Sequence, residues 1–155
     1  MTVVDIAIRP EDPRQPDVRA LIAELDALMT SLYPAESNHL LDVETLAAAD
    51  VTFLVARADD KVIGCGAVRR HNAELGEIKR MFVSPEARGL GLGKRILGAL
   101  EREAAGQRLK RLALETGIHQ PEAIGLYRRS GFRECQPFGD YKPDPLSLFM
   151  VKELT

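Results

Sequence analysis

Charge of one sign, cysteine and long apolar runs are all scarce in this 155-residue chain. Its 21 Lys+Arg and 23 Asp+Glu leave a net charge of −2, which argues against a nucleic-acid binder held by phosphate contacts. No run of about 18 apolar residues occurs, so no transmembrane helix is expected. Met1 to Asp5 brings in an acid early and lacks the basic-then-apolar order of a signal peptide, which points to a cytoplasmic protein. The two cysteines, Cys65 and Cys135, cannot form a metal cluster by themselves, and both lie in apolar runs, where they read as reduced core thiols. No metal is expected. What remains is ordinary for a globular chain: 45% apolar and 28% charged residues exclude a disordered tail. The length predicts a single domain over residues 1–155, burying roughly two-thirds of the surface its unfolded chain would expose.

No internal repeat or low-complexity tract interrupts the chain. Val3 to Ile8 alternates as a first strand would, and Asp17 to Ser31 carries Val18, Leu21, Ile22, Leu25, Leu28 and Met29 at helical spacing. A loop from Leu32 to Leu41 follows, and Asp42 is placed to cap a short helix to about Ala49. Val51–Ala56 and Val62–Val68 flank Asp59-Asp60 as a hairpin. The next strand runs from Glu77 to Val83 and is ended by Pro85. Strict alternation there sets Ile78, Arg80 and Phe82 on one face and Glu77, Lys79, Met81 and Val83 on the other. A helix from Gly91 or Leu92 to Ala105, a strand from Leu109 to Thr116, a helix from Pro121 to Ser130 and closing strands Phe132–Phe138 and Leu146–Val151 complete the order. Seven strands and four helices so arranged indicate an α/β or α+β fold, with a central parallel β-α-β unit of right-handed crossover.

Arg88-Gly89-Leu90-Gly91-Leu92-Gly93-Lys94, between a strand and a helix, is the most informative stretch. Glycines let the backbone approach a ligand closely, the helix start offers unpaired N–H groups and a positive dipole end, and Arg88 and Lys94 add two cations. Phosphate binding is the functional reading, against a plain tight turn. A nucleotide P-loop fails, because Arg88 and Arg95 stand where that motif needs Gly and Ser or Thr. A dinucleotide fingerprint fits poorly, because Lys94 takes its third glycine position, although Glu115 lies near the distance of a ribose-binding acid.

The loop resembles that of the GNAT superfamily of N-acetyltransferases: Arg88, Gly91 and Gly93 match its phosphate motif. Glu77-Ile78…Met81-Phe82-Val83 is similar to that family's fourth strand, and Ala123…Leu126-Tyr127…Gly131-Phe132 to its fourth-helix signature. The resemblance implies a mixed, mostly antiparallel seven-stranded sheet and direct transfer of acetyl from acetyl-CoA to a primary amine of a small molecule, amino acid or peptide. It also implies roles. Backbone groups of Met81, Phe82 and Val83 would meet the pantetheine arm. Residues Arg88, Gly89, Leu90, Gly91, Leu92, Gly93 and Lys94 would hold the pyrophosphate, with Gln120 beside the cofactor where the family often has Asn. Tyr127 would protonate the leaving thiolate. Glu77 stands where the family's histone acetyltransferases carry a glutamate base; it either deprotonates the amine through water or is a solvated strand-end charge. The acceptor would lie between the loops holding Tyr33, His39 and Tyr141. Protein N-terminal or lysine acetylation and a non-catalytic acyl-CoA-sensing domain are the alternatives, and a homodimer is an expectation by analogy.

Overall fold

The computed structural model describes residues 5–38 and 42–154. In chain order these form β1 (Ile6–Pro10), α1 (Pro16–Leu32), α2 (Val43–Leu46), β2 (Val51–Ala58), β3 (Lys61–Arg70), β4 (Leu75–Val83), α3 (Leu92–Gly106), β5 (Arg111–Gly117), α4 (Pro121–Arg129), β6 (Arg133–Glu134) and β7 (Ser147–Glu153), with 3-10 turns at Ala35–Ser37 and Pro85–Ala87. The strands make one sheet in the order β1-β2-β3-β4-β5-β7-β6. Every pairing is antiparallel except β4 with β5, which α3 connects as a β-α-β crossover. This is the mixed seven-stranded fold that the element order implies. No helix among the described residues is long and apolar enough to cross a membrane.

Each face of the sheet buries its own apolar cluster. On one, α3 lays Leu92, Ile96, Leu97, Leu100 and Ala104 against Ile78, Leu112 and Leu114. Gly66 is needed there, since a Cβ on it would stand 3.0 Å from both Ile96 Cγ2 and Leu100 Cδ1. On the other face, α1 sets Val18, Leu21, Ile22, Leu25 and Met29 against Phe53, Val55, Cys65, Ala67 and Phe82. Asp42 caps α2 as expected, its Oδ1 accepting from the Thr45 N–H at 2.7 Å, but that helix ends at Leu46 rather than Ala49.

Three expectations need correction. The strand expected over Phe132–Phe138 is only Arg133–Glu134. Pro137 brings no N–H to a ladder, and Phe138 leaves the sheet to pack edge-on against His71, Tyr141 and Phe149. Cys135 is half-buried at that sheet edge rather than core, whereas Cys65 is fully buried and its desolvated thiol is pushed up to about 12. The strict alternation of β4 also breaks. Its register against β3 shifts between Cys65↔Phe82 and Ala67↔Lys79, and Arg80 adopts φ +56, which marks a β-bulge carrying one extra residue. Ile78 therefore faces α3 while Phe82 faces α1.

The start of α1 is tied to β2 by Arg57, which donates to Glu11 (2.9 Å to Oε1, 3.0 Å to Oε2), to Asp17 Oδ2 (2.7 Å) and to the Asp60 carbonyl (2.8 Å). The guanidinium holds both carboxyls below the usual carboxylate range. A lowered carboxyl stabilises the fold above its ordinary pKa, and that contribution is lost as pH falls through the lowered value. Arg57→Met is expected to cost about 1 kcal/mol at neutral pH. The gap to the parent protein should close in urea titrations below about pH 4.

Candidate active site

The glycine stretch lies where the sequence places it, between the 3-10 turn and α3. Gly89 and Gly91 have φ of +86 and +69, and a Cβ on either would meet nothing within 4 Å. Conformation rather than space is what demands glycine at both. The first intrahelical bond of α3 runs from the Arg95 N–H to the Gly91 carbonyl at 3.2 Å, so the N–H groups of Leu92, Gly93 and Lys94 precede it at the positive end of the helix. Arg88, Leu90 and Lys94 are exposed around that end. Gly93 has a separate reason, since its Cβ would sit 3.2 Å from Leu126 Cδ2 of α4. The loop can seat an anion of diphosphate size between backbone donors and two cations.

Behind the loop the sheet opens. β4 and β5 pair in register from Leu75↔Arg111 to Ile78↔Leu114 and no further, although β4 runs on to Val83 and β5 to Gly117. The bulge turns β4 away at this point. A non-glycine residue in the left-handed region costs roughly 1–2 kcal/mol, and tertiary interactions hold Arg80 there. Its guanidinium is ion-paired with Asp26 of α1, and its carbonyl accepts from Cys65 Sγ at 3.2 Å.

A cavity of about 110 Å³ occupies this opening and joins the two faces of the sheet. On the α3/α4 side it is lined by Met81, Ala123 and Tyr127, and on the α1 side by Met29, Tyr33, Lys79, Arg80, Glu115 and Ser147. Tyr127 is 7% exposed, packs edge-on against Phe132, and points its hydroxyl toward Met81 Sδ at 3.8 Å. Burial pushes its phenol up to about 12, so it stays protonated at neutral pH. Met81 lines the cavity, whereas Phe82 packs in the α1-side cluster and Val83 against the α3 side.

Gln120 and Tyr33 meet in the wall. Gln120 Oε1 accepts from the Gly117 N–H at 3.2 Å and from the Tyr33 hydroxyl at 3.3 Å, and that hydroxyl accepts from the His119 N–H at 3.1 Å. Any side chain at position 117 would collide with Tyr33, whose hydroxyl stands 1.7 Å from the Cβ site. Ser37 Oγ donates to Asp144 Oδ2 at 2.8 Å, closing the rim between the 3-10 turn and the segment before β7. His39 lies outside the described residues.

Glu77 is 2% exposed and is not a solvated strand-end charge. It accepts from the Tyr141 hydroxyl at 2.5 Å, lies 2.8 Å from His71 Nε2 and 3.4 Å from Lys79 Nζ, and Lys79 also donates to the Tyr141 hydroxyl at 2.7 Å. Burial, with the charge of Glu77 behind it, raises the Tyr141 phenol. Neither Glu77 nor Tyr141 lines the cavity; Lys79 stands between them and it. The carboxylate that does line it is Glu115, which accepts from Ser147 Oγ at 2.6 Å. Sequence reasoning met Glu115 only as a ribose-binding acid. A stronger signal was available: Glu115 is the lone charge after Leu112-Ala113-Leu114, and a charge in a buried strand is costly unless something uses it.

The model of the acetyltransferase (GNAT) family matches residues 19–132. The chain is 52% identical over 151 residues to a protein named IAA acetyltransferase from Azospirillum brasilense, covering 97% of this chain and 99% of that one. Its fold is similar to that of a Klebsiella pneumoniae protein described as an acyl-CoA N-acyltransferase, with TM-score 0.82 and 38% identity over 97% of this chain and 98% of the other. It is also similar in fold to a GNAT family acetyltransferase from Elizabethkingia anophelis solved with acetyl-CoA bound, with TM-score 0.68 and 20% identity over 96% and 97% of the two chains. The family match spans both the glycine loop and Tyr127, and the chain belongs to the acetyltransferase (GNAT) family.

Proposed function

We propose that this protein transfers an acetyl group from acetyl-CoA directly to the primary amine of a small molecule. The observation that carries the reading is the cavity through the sheet, with a protonated phenol on one side and a carboxylate on the other. The residues present fit the donor. Glycines with open Cβ positions and an unpaired helix start suit its pyrophosphate. The β4 edge from Lys79 to Val83 has no β5 partner and suits an amide-rich arm. The Elizabethkingia structure, with acetyl-CoA bound to the same fold, agrees with that fit.

Acetyl-CoA supplies an acyl carbon activated as a thioester; the chain supplies proton handling and position. An alkylammonium of pKa about 10.4 must lose a proton before it attacks, at roughly 4–5 kcal/mol at pH 7. Glu115 receives that proton on the α1 side of the cavity. Tyr127 donates its hydroxyl proton to the departing thiolate on the other side and regains one from the nitrogen, which sheds its second proton as the amide forms. Glu77 acts one layer back, holding Lys79 and Tyr141 in place. The small cavity, its rim bridged by Ser37 and Asp144, suits a small acceptor better than a protein tail. A purely acyl-CoA-sensing domain would have no use for the Tyr127 and Glu115 pair.

Tyr127→Phe is expected to lower kcat by about 100-fold or more with little change in acetyl-CoA KM, measured in steady-state assays over an amine library. For Glu115→Gln, kcat/KM should fall at pH 7 and recover in part as pH rises, because the amine then deprotonates without help; a uniform loss across the pH profile would remove Glu115 as the base. CoA at 100 times Kd adds about 2.7 kcal/mol. That should raise the melting temperature by several degrees, and by clearly less in Arg88→Ala.

A further inference from the structure

Resting on that reading, we infer that Lys79, Tyr141, Glu77 and His71 form a proton exit, which carries the proton released by acetylation from the cavity to the protein surface. Each conversion of an alkylammonium and a thioester into an amide and a neutral thiol leaves one proton over. In the mechanism above that proton rests on Glu115, whose charge must be restored before the next acceptor arrives. Four side chains run outward from the cavity wall in unbroken contact. Lys79 lines the cavity and donates from Nζ to the Tyr141 hydroxyl at 2.7 Å. That hydroxyl donates to Glu77 Oε2 at 2.5 Å, and Glu77 Oε1 lies 2.8 Å from His71 Nε2. All three separations are as short as proton transfer requires.

The two ends of this chain differ as an exit demands. Inside, Glu77 is 2% exposed, and the rings of Phe138 and Phe149 pack against Tyr141 at centroid separations of 5.2 and 5.4 Å. Outside, 23% of the His71 side chain is exposed. Exposed Gly139 stands beside that ring, where a Cβ would come 3.2 Å from Cε1 and 3.5 Å from Nδ1, so glycine leaves this edge uncovered. The charges of Arg69 on β3 and Glu115 on β5 also act on the Tyr141 hydroxyl, in opposite directions. An amide would hold Glu77 as well as His71 does, but only a titratable ring can also pass a proton on.

The transfer moves protons alone. Lys79 passes an Nζ proton to the Tyr141 oxygen while Tyr141 passes its own to Glu77 Oε2. The Glu77 carboxyl, then neutral, turns and hands the proton to His71 Nε2. His71 gives up its Nδ1 proton to water. Lys79, left as an amine, takes the proton held by Glu115 across a cavity with room for a few waters. One proton leaves Glu115, one enters bulk water, and every other group returns to its starting charge.

The test compares His71 variants of the full-length protein, assayed with acetyl-CoA and the member of the amine library that the parent acetylates fastest. His71→Gln keeps a hydrogen-bond donor to Glu77 and cannot relay, so kcat is expected to fall about 10-fold or more with acceptor KM unchanged. In His71→Ala, added imidazole should restore kcat in proportion to its basic form. It should not do so in Tyr141→Phe, where the break is internal. Parental kcat in His71→Gln, or no imidazole response in His71→Ala, overturns the inference. A second measurement needs no acceptor: in lysine-labelled protein, NMR exchange of the Lys79 Nζ protons with water should slow about 10-fold in His71→Gln. Equal exchange rates in parent and variant overturn the inference. Thermal stabilisation by CoA keeps the two readings apart. Its absence in the parent protein defeats the acetyl-CoA reading, whereas a normal CoA shift with kcat indifferent to His71 defeats only the proton exit.

Discussion

The interrupted ladder between β4 and β5 is the constraint on which the rest of this structure depends. Four paired positions bind the two strands, and beyond Ile78 and Leu114 they part. A sheet cannot open in its middle without a cause, because each unpaired backbone group that stays buried costs free energy. The cause is the one-residue bulge at Arg80, which changes the direction of β4 while its other edge stays bonded to β3. Strain of roughly 1–2 kcal/mol is stored there, offset by the ion pair to Asp26 and the contact with Cys65. The buried thiol is thus inert chemically and structural in effect, a small donor facing a carbonyl that the bulge has displaced.

The opening divides the labour of the two faces. On the α3/α4 side lie the glycine loop, Met81 and Tyr127, all suited to a long anionic thioester and its leaving sulfur. On the α1 side lie charged and hydroxyl-bearing groups from β4, β5, β7 and the end of α1, all suited to a small polar acceptor. Neither face holds both sets. The two faces meet where the strands part, and the walls of that opening come from strands of one sheet and the helices packed on them. The His71, Glu77, Tyr141 and Lys79 cluster supports the α1-side wall of the cavity, which Lys79 lines. It also fastens the Phe138–Tyr141 segment onto the sheet, which is why that segment packs as a strap and not as the long strand its composition suggests.

Much of this was legible in the residues. The helices of α1, α3 and α4 follow from apolar spacing with Pro and Gly at their ends, and the crossover from β4 to β5 follows from the order of elements. The glycine loop is legible because its conformation is a property of the backbone: three alternating glycines announce it, and two of them, Gly89 and Gly91, take positive φ. Tyr127 is legible because a helix signature places it at a set distance from that loop. Glu77 stands out in the sequence as a carboxylate at the start of β4, but the pattern does not say that it is buried behind Lys79 rather than exposed at the strand end.

The sequence by itself determined the order of elements, the glycine turn before α3 and the place of Tyr127 on α4, because each rests on spacings or conformations within a few residues of chain. Only the tertiary structure decided which side chains share the cavity. The bulge that brings Lys79 and Arg80 to one wall is held by Asp26 and Cys65, far off in the chain. Glu115 becomes a cavity wall only because its neighbouring strand has turned away. Alternation along a strand is a local rule, and a single extra residue, stabilised from a distance, reverses everything after it.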